Sequence, residues 1–507
     1  MSLDESADPR AAEPARGHPR RWAVLAVLCT SLLLVGIDLT VLHVAVPGIT
    51  RDLMPDAAEL LWIVDVYSLT VAALLVTFGT MGDRLGRRRV LSAGFAVFGG
   101  ASAAAALSST AVQLIGARML LGVGAAMIMS STVAVIRSVF PDERERAVAL
   151  GLWTAAHSVG ATIGPVVGGV LVERWWWGAV FLVNVPVVAL VLIGGRRLIP
   201  ESRDPVRRRW DLWGAVLSAA GLAMVVFALK RLGGEGAVMT IVLGGTGLVL
   251  LGAFVARQLR VSRPLLDLSL FADRRFSVAV FGVLCCFGSY TALLFFLTQW
   301  LQLVEGRSPV SAGLVLMPLA AANAVGATGA PWVAGRLGLR ASVTVSLGAF
   351  AAALAVLAVV GADALTALIA AGVGAGVVMT LGAHIIMSAA RPERAGEAAA
   401  IQETSFELGA GLGVAVLGTV LASIYRTALP AVPGLRPQDD TVARESLGAA
   451  IAVAARLDHA TGAALLQTAR IAFDHGFTVI LAIAAVVLTV AAGLSAVLLR
   501  DRVRRAS

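Results

Sequence analysis

The chain has 507 residues, of which 58% are hydrophobic and 14% charged, with a mean hydropathy of +0.85. Soluble domains run at roughly 45–50% apolar and about 25% charged residues, so a soluble multidomain enzyme is excluded, as are disordered and fibrous chains. The 41 Lys and Arg outnumber the 32 Asp and Glu to give a net charge of +9. They arrive in short clusters between apolar runs, which points to anionic membrane lipid as the partner and not to nucleic acid.

Along the chain, residues 1–21 are polar and rich in Pro and Arg, an expected disordered arm. No cleavage site follows the next apolar run, so that run reads as a first spanning helix and not as a removable signal. A spanning helix needs roughly 20 mostly apolar residues. Fourteen runs qualify: 22–46, 59–79, 90–108, 112–136, 147–171, 178–198, 212–232, 237–256, 276–303, 309–334, 341–360, 364–388, 398–423 and 473–499. The Arg clusters fall on alternate connections and at both termini, which places both termini in the cytoplasm of a multi-pass protein of the cell membrane. The long outer segment 424–472 begins Pro-rich (Pro430, Pro433, Pro437). From Thr441 to Arg470 it carries apolar residues at helical spacing, predicting an amphipathic hairpin on the outer surface, with an unstructured linker as the alternative. Cys29, Cys285 and Cys286 lie in apolar runs with neither disulfide nor metal spacing, and read as small core residues.

Three motifs punctuate these runs. Gly79-Thr-Met-Gly82-Asp83-Arg84-Leu-Gly86-Arg87-Arg88-Arg89 follows the second run. Its glycines suit a tight turn between helices, and Asp83 can meet a helix N-terminus or pair with Arg84, Arg87 or Arg88. Read as charge alone, it is a positive loop that only sets orientation. In the fourth run Arg118 precedes Gly122 and Gly124; a lone Arg at membrane depth must face the interior and find a partner, either in a working site or in a static ion pair. In the fifth run Gly160, Gly164, Pro165, Gly168 and Gly169 combine a proline kink with small residues that let helices close up, with or without a role in coupling.

The first of these motifs resembles the signature loop of the major facilitator superfamily, Gly-x-Leu-Ala-Asp-Arg-x-Gly-Arg-Lys-x-x-Leu, at nearly every fixed position. The Arg118 segment resembles that family's fourth-helix motif, and the Gly160–Gly169 segment resembles the motif that marks its drug antiporters. Asp38-Leu-Thr40-Val-Leu-His43-Val-Ala-Val-Pro47, Trp62-Ile-Val-Asp65-Val-Tyr67 and Gln402-Glu403-Thr404-Ser405-Phe406-Glu407 are similar to the first, second and thirteenth helices of the fourteen-helix drug:proton antiporters, in particular the branch exporting quaternary ammonium compounds. His43 stands where that family usually has Asn, and Gly335-Arg336-Leu-Gly338 is a partial second copy of the loop without its Asp.

Carboxylates at membrane depth carry the chemistry. Asp38 lies roughly 13 Å from the outer end of its helix, and Glu407 reaches a similar depth from the other side. Glu403 shares a helix face with Glu407, and Asp65 lies in the outer third. Such groups are expensive in a bilayer and mark ion or proton paths, so these four with Arg118 are the expected site for protons and substrate cations; structural hydrogen-bonded carboxylates are the alternative, most of all for Glu403 and Asp65. Asn323, in the tenth run, is expected to face the cavity and to favour monovalent over divalent cations, since an amide cannot balance a second charge. No nucleotide-binding loop and no metal cluster is present, so no cofactor is expected and an ion gradient must supply the energy.

The resemblance implies an all-α integral membrane protein of the major facilitator fold: six-helix halves over 22–198 and 276–499, a linker over 199–275 with two inserted helices, and a cytoplasmic tail over 500–507. It implies proton-coupled efflux of lipophilic cations (quaternary ammonium compounds, dyes, antibiotics) by a monomer that is not an enzyme. The alternatives are a dedicated exporter of an endogenous antibiotic or metabolite and, from another class, a non-transporting receptor or scaffold.

Overall fold

The computed structural model describes residues 19–201, 211–230, 237–261, 268–361, 364–389 and 395–499; the expected N-terminal arm, apart from its end, and the tail 500–507 lie outside the described residues. The elements among the described residues are all helical. The first half comprises α1 (Arg21–Leu53), α2 (Ala57–Leu85), α3 (Arg87–Ala106), α4 (Ala111–Val139), α5 (Glu143–Arg174) and a sixth span broken into α6 (Ala179–Leu182) and α7 (Asn184–Leu198). A hairpin of α8 (Leu212–Lys230) and α9 (Ala237–Arg260) follows. The second half holds α10 (Arg274–Gln299), which runs into a π turn at Trp300–Val304, then α11 (Pro309–Leu337), α12 (Leu339–Val360), α13 (Leu365–Ala389) and α14 (Ala395–Ala428). Two short helices, α15 (Pro437–Ala443) and α16 (Leu447–Ala454), precede the last span, α17 (His459–Leu498).

Among the described residues, eleven helices are long and apolar enough to cross a membrane by length and composition, and two shorter apolar helices accompany them. The fourteen expected spans correspond to α1–α5, the α6/α7 pair, α8–α14 and α17. Within the first half α1 packs on α5, and α4 on α2 and α3; within the second α10 packs on α14, α11 on α13 and α12 on α17. The halves meet along two seams, α2 with α14 and α5 with α11, while α8 and α9 pair with each other and α8 touches α2 and α14.

Three local features depart from the expected runs. The first helix continues through Pro47 to Leu53. The sixth span breaks at Val183. The expected outer hairpin is replaced by α15, α16 and an early start of α17 at His459, which Asp458 caps by taking the Thr461 N–H on its carboxylate at 3.0 Å. This segment is folded back onto the spans: Tyr425 donates to the Ala443 carbonyl at 3.0 Å, Arg444 to that of Leu429 at 2.8 Å, and Leu447, Ala450 and Val453 are buried. Of the tryptophans that follow α5, Trp175 and Trp176 are exposed, whereas Trp177 is buried against Gly48 of α1.

Asp211 ties the α8–α9 hairpin together. Its carboxylate caps α8 through the Gly214 N–H at 2.9 Å and accepts from Arg257 at 2.8 Å and Gln258 at 3.2 Å. Burial opposes its charge, but these three donors outweigh burial and hold the carboxyl below its ordinary range. The tie is therefore complete at neutral pH and is lost only as pH falls through that lowered value.

The α1–α5 seam explains a pairing of residue types far apart in sequence. Pro165 has no N–H, so in a regular helix the Ala161 carbonyl one turn earlier loses its partner. Thr40 of α1 fills the gap: its hydroxyl donates to Ala161 O at 3.2 Å. The close approach that permits this comes from Gly160 and Gly164, where a Cβ would drive into Leu33 O and Thr40 Oγ1. Thr40→Val should therefore destabilise the detergent-solubilised protein by about 1–3 kcal/mol, the penalty for an orphaned buried acceptor. In a Pro165→Ala background, which restores an N–H at position 165, the same change should cost less; thermal melts of the four proteins in a double-mutant cycle measure the difference.

Candidate functional site

The centre of the first half is organised around Arg118, two turns into α4 and 2% exposed. Its guanidinium answers several acceptors at once: Nη1 lies 3.0 Å from Asp38 Oδ2, Nε donates to Ile63 O at 3.1 Å, and Nη2 reaches Val64 O at 3.4 Å. The Tyr67 ring lies beneath it at 4.7 Å and the Phe181 ring at 6.0 Å. A charge buried in this way is stable only when paired and hydrogen-bonded, and this one is. Asp38 is fully buried, and its second oxygen accepts from Asn184 Nδ2 at 3.2 Å, which also lies 3.2 Å from Ser102 Oγ. One carboxylate thus joins α1, α3, α4 and α7, and through Arg118 α2 as well.

A small cavity opens beside this pair, between the two halves. His43, Asp65, Ser68 and Arg118 face it from the first half, and Thr291, Ala410 and Val414 from the second. Asp65 is 1% exposed. Glu407 of α14 is buried and its carboxylate hydrogen-bonds the Ser68 hydroxyl of α2, so it spans the seam between the halves. Its other oxygen, Oε2, has no protein partner. Glu403, one turn away on the same helix, is half-buried and within electrostatic range of Glu407.

The structure thus brings together four of the expected site residues, Asp38, Arg118, Asp65 and Glu407, with Glu403 at the margin. Asn323 is not among them. Its amide contacts the Met379 sulfur at 3.8 Å across the α11–α13 seam, inside the second half. Asn323 does not line the cavity described above.

The signature loop closes the α2–α3 corner. Gly86 has φ +108, a conformation that suits only glycine, and a Cβ there would meet the Glu201 carboxyl. Glu201, which sequence reasoning missed, accepts from the Arg88 N–H at 3.3 Å and pairs with Arg88 and Arg89 at 3.6 and 3.7 Å. The side chain of Asp83 lies outside the described residues. Arg84 is exposed, and Gly79 and Gly82 have room for a Cβ, so among the loop's glycines only Gly86 is conformationally required. Gly338 (φ +79) holds the matching corner between α11 and α12 in the partial second copy.

The fifth-helix motif has two faces. Gly160, Gly164 and Gly168 lie against α1, within the first half. Gly169 lies against α11 of the second half, where a Cβ would come within 2.7 Å of Pro309 O, and the Pro165 carbonyl would lie 2.6 Å from a Cβ on Gly313. Further contacts close the same end of the molecule: Gln302 Nε2 donates to Val44 O at 3.2 Å, and Gly418 packs under Leu61. All of these lie at the end carrying the α1–α2 and α5–α6 connections.

Asn184 was also missed. Its signal in the sequence is a single amide in the apolar run 178–198, followed two residues later by Pro186, but nothing in that run says what the amide would meet.

Comparison with known proteins agrees with this architecture. The family model described as Major Facilitator Superfamily matches residues 28–414. The multidrug efflux pump LfrA of Mycolicibacterium smegmatis is 40% identical over 491 residues, covering 96% of this chain and 97% of its own. The methyl viologen resistance protein SmvA of Salmonella typhimurium is 37% identical over 474 residues (91% and 95%), and the tetracenomycin C resistance and export protein of Streptomyces glaucescens 32% over 435 residues (83% and 80%). Among solved structures, a bacterial homolog of the human lysosomal transporter Spinster, inward-facing and unoccupied, shares the fold with TM-score 0.65 at 17% identity, covering 94% of this chain and 98% of that one. With the signature loop, the two packed halves and these full-length relatives in agreement, the chain belongs to the major facilitator superfamily.

Proposed function

We propose that this chain is a proton-coupled antiporter that exports lipophilic cations, including quaternary ammonium compounds, by alternating access. The observation that carries this reading is the convergence of Asp38–Arg118, Asp65 and Glu407 around one cavity at the junction of the halves. A carboxylate at membrane depth can hold a proton or balance a cation, and each discourages the other. Because Arg118 both pairs with Asp38 and lines the cavity, a proton on Asp38 leaves the guanidinium charge unbalanced and disfavours a cation beside it, which couples the two fluxes. Relatives named as efflux pumps and resistance proteins support the same reading.

The roles follow from placement. Asp38 is closed in by Arg118 and Asn184, so a cation cannot reach it without disrupting both; it suits the proton. Protonation there would take the charge from one side of the Arg118 pair and loosen the joint between five helices. Asp65 lines the cavity and Glu407 is bonded to Ser68 of its wall; both suit the organic cation, with Glu403 on the approach. The gradient supplies the energy, so no cofactor is called for, and one chain provides both halves of the site, consistent with a monomer. With the positively charged connections and termini on the cytoplasmic side, the end closed by the Gly169, Gln302 and Gly418 contacts is the outer one.

Asp38→Asn and Glu407→Gln should abolish efflux of ethidium from cells, and so should an uncoupler with the unsubstituted protein, while both variants still reach the membrane. Efflux at the ordinary rate from both variants would exclude these carboxylates from coupling. The two faces of the α5 motif should separate in the same assay. Gly169→Val, at the junction with α11, should leave folded yield within about twofold and slow turnover at least tenfold, because the outer end can no longer close. Gly160→Leu, buried against α1, should instead lower the amount of folded protein, read by fluorescence-detected size exclusion.

A further inference from the structure

Among the described residues that line the cavity, His43 carries a polar side chain that the coupling scheme leaves unused. It lies on α1 and is 3% exposed, with its ring against Phe295 of α10 at 5.5 Å between centroids. It borders the cavity together with Asp65 and Ser68, and neither ring nitrogen has a hydrogen-bond partner within the protein. Burying a polar ring without partners is unfavourable, so its persistence calls for something that answers it. A neutral imidazole offers one N–H and one lone pair, and no other residue lining this cavity offers an uncharged nitrogen acceptor. The carboxylates supply charge balance to any cation equally; the imidazole distinguishes cations by whether they bring N–H donors.

We propose that His43 is the hydrogen-bonding partner for N–H groups of the substrate, so that the site takes N–H-bearing organic cations (protonated amines, amidines and guanidines) more tightly than quaternary ammonium ions of similar size. The proposal rests on the cation-export reading above. A quaternary ammonium has no N–H and leaves the imidazole unanswered, whereas a guanidinium can place one N–H on the imidazole and another on a carboxylate such as Asp65. Packing on Phe295 fixes the ring plane, which gives the acceptor a direction.

The test uses dodecylguanidinium and dodecyltrimethylammonium, two monocations with the same tail, in equilibrium binding to the purified full-length protein and in efflux from cells. His43→Leu should weaken dodecylguanidinium binding about tenfold, the worth of one hydrogen bond to a charged group, and leave dodecyltrimethylammonium within about twofold. His43→Asn, which keeps an acceptor and an N–H, should retain most of the guanidinium affinity. If the leucine variant does not fold, His43→Phe, which keeps the aromatic packing, carries the same comparison. Equal losses for both cations would make the ring a wall of the cavity and overturn the proposal, as would no loss for either, which would mean that the imidazole is answered by water alone. Binding of dodecyltrimethylammonium without dodecylguanidinium would overturn this inference and leave the export reading standing; binding of neither would overturn both.

Discussion

A guanidinium inside a bilayer is tolerated only when its charge and its donors are answered at once, and the packing of the first half follows from how Arg118 is answered. Asp38 supplies the charge, α2 supplies two carbonyls and Tyr67 supplies a ring face. These acceptors come from different helices, so satisfying one side chain fixes how α1, α2 and α4 sit against each other, and Asn184 extends the constraint to α3 and α7. Removing one partner of such a pair leaves an uncompensated buried charge, typically worth about 3–5 kcal/mol. Any change in the charge of Asp38 therefore acts on the joint that positions five helices.

The second constraint is steric. Helices in lipid gain little from burying apolar surface against one another and must associate through close packing and interhelical hydrogen bonds. The fifth helix uses both means. Its proline frees a carbonyl that Thr40 then claims, and its glycines bring α1 near enough for that bond to form. Gly169, on the opposite face, lies at the junction between halves. One short motif therefore holds a fixed seam and a seam that alternating access must open.

How much of this was legible in the sequence varies by residue. Asp38, Arg118, Asp65 and Glu407 stood out because charge at membrane depth is costly and few such groups occur. Asn184 and Ser102 did not, since uncharged polar residues are common in spans and declare a role only when a partner is known. Asn323 illustrates a related limit of sequence: depth along a helix is readable there, but which residues line a given cavity, Asn323 not among them, is not. The segment 424–472 reads as an amphipathic hairpin from its apolar residues at helical spacing; capping by Asp458 and Ser446 and burial of Leu447 and Val453 decide where its helices begin and what they cover.

Composition and run length were enough to establish a membrane protein of fourteen spans with a strongly biased charge distribution, because those properties need no contacts. The superfamily was legible too, through a loop whose spacing suits one tight corner at Gly86. Folding in three dimensions added the rest: that Asp38 belongs to Arg118, that Glu407 crosses to Ser68, that Glu201 answers the signature loop and that His43 borders the cavity without a protein partner. These are pairings between helices distant in sequence, and their geometry exists only once the helices have packed.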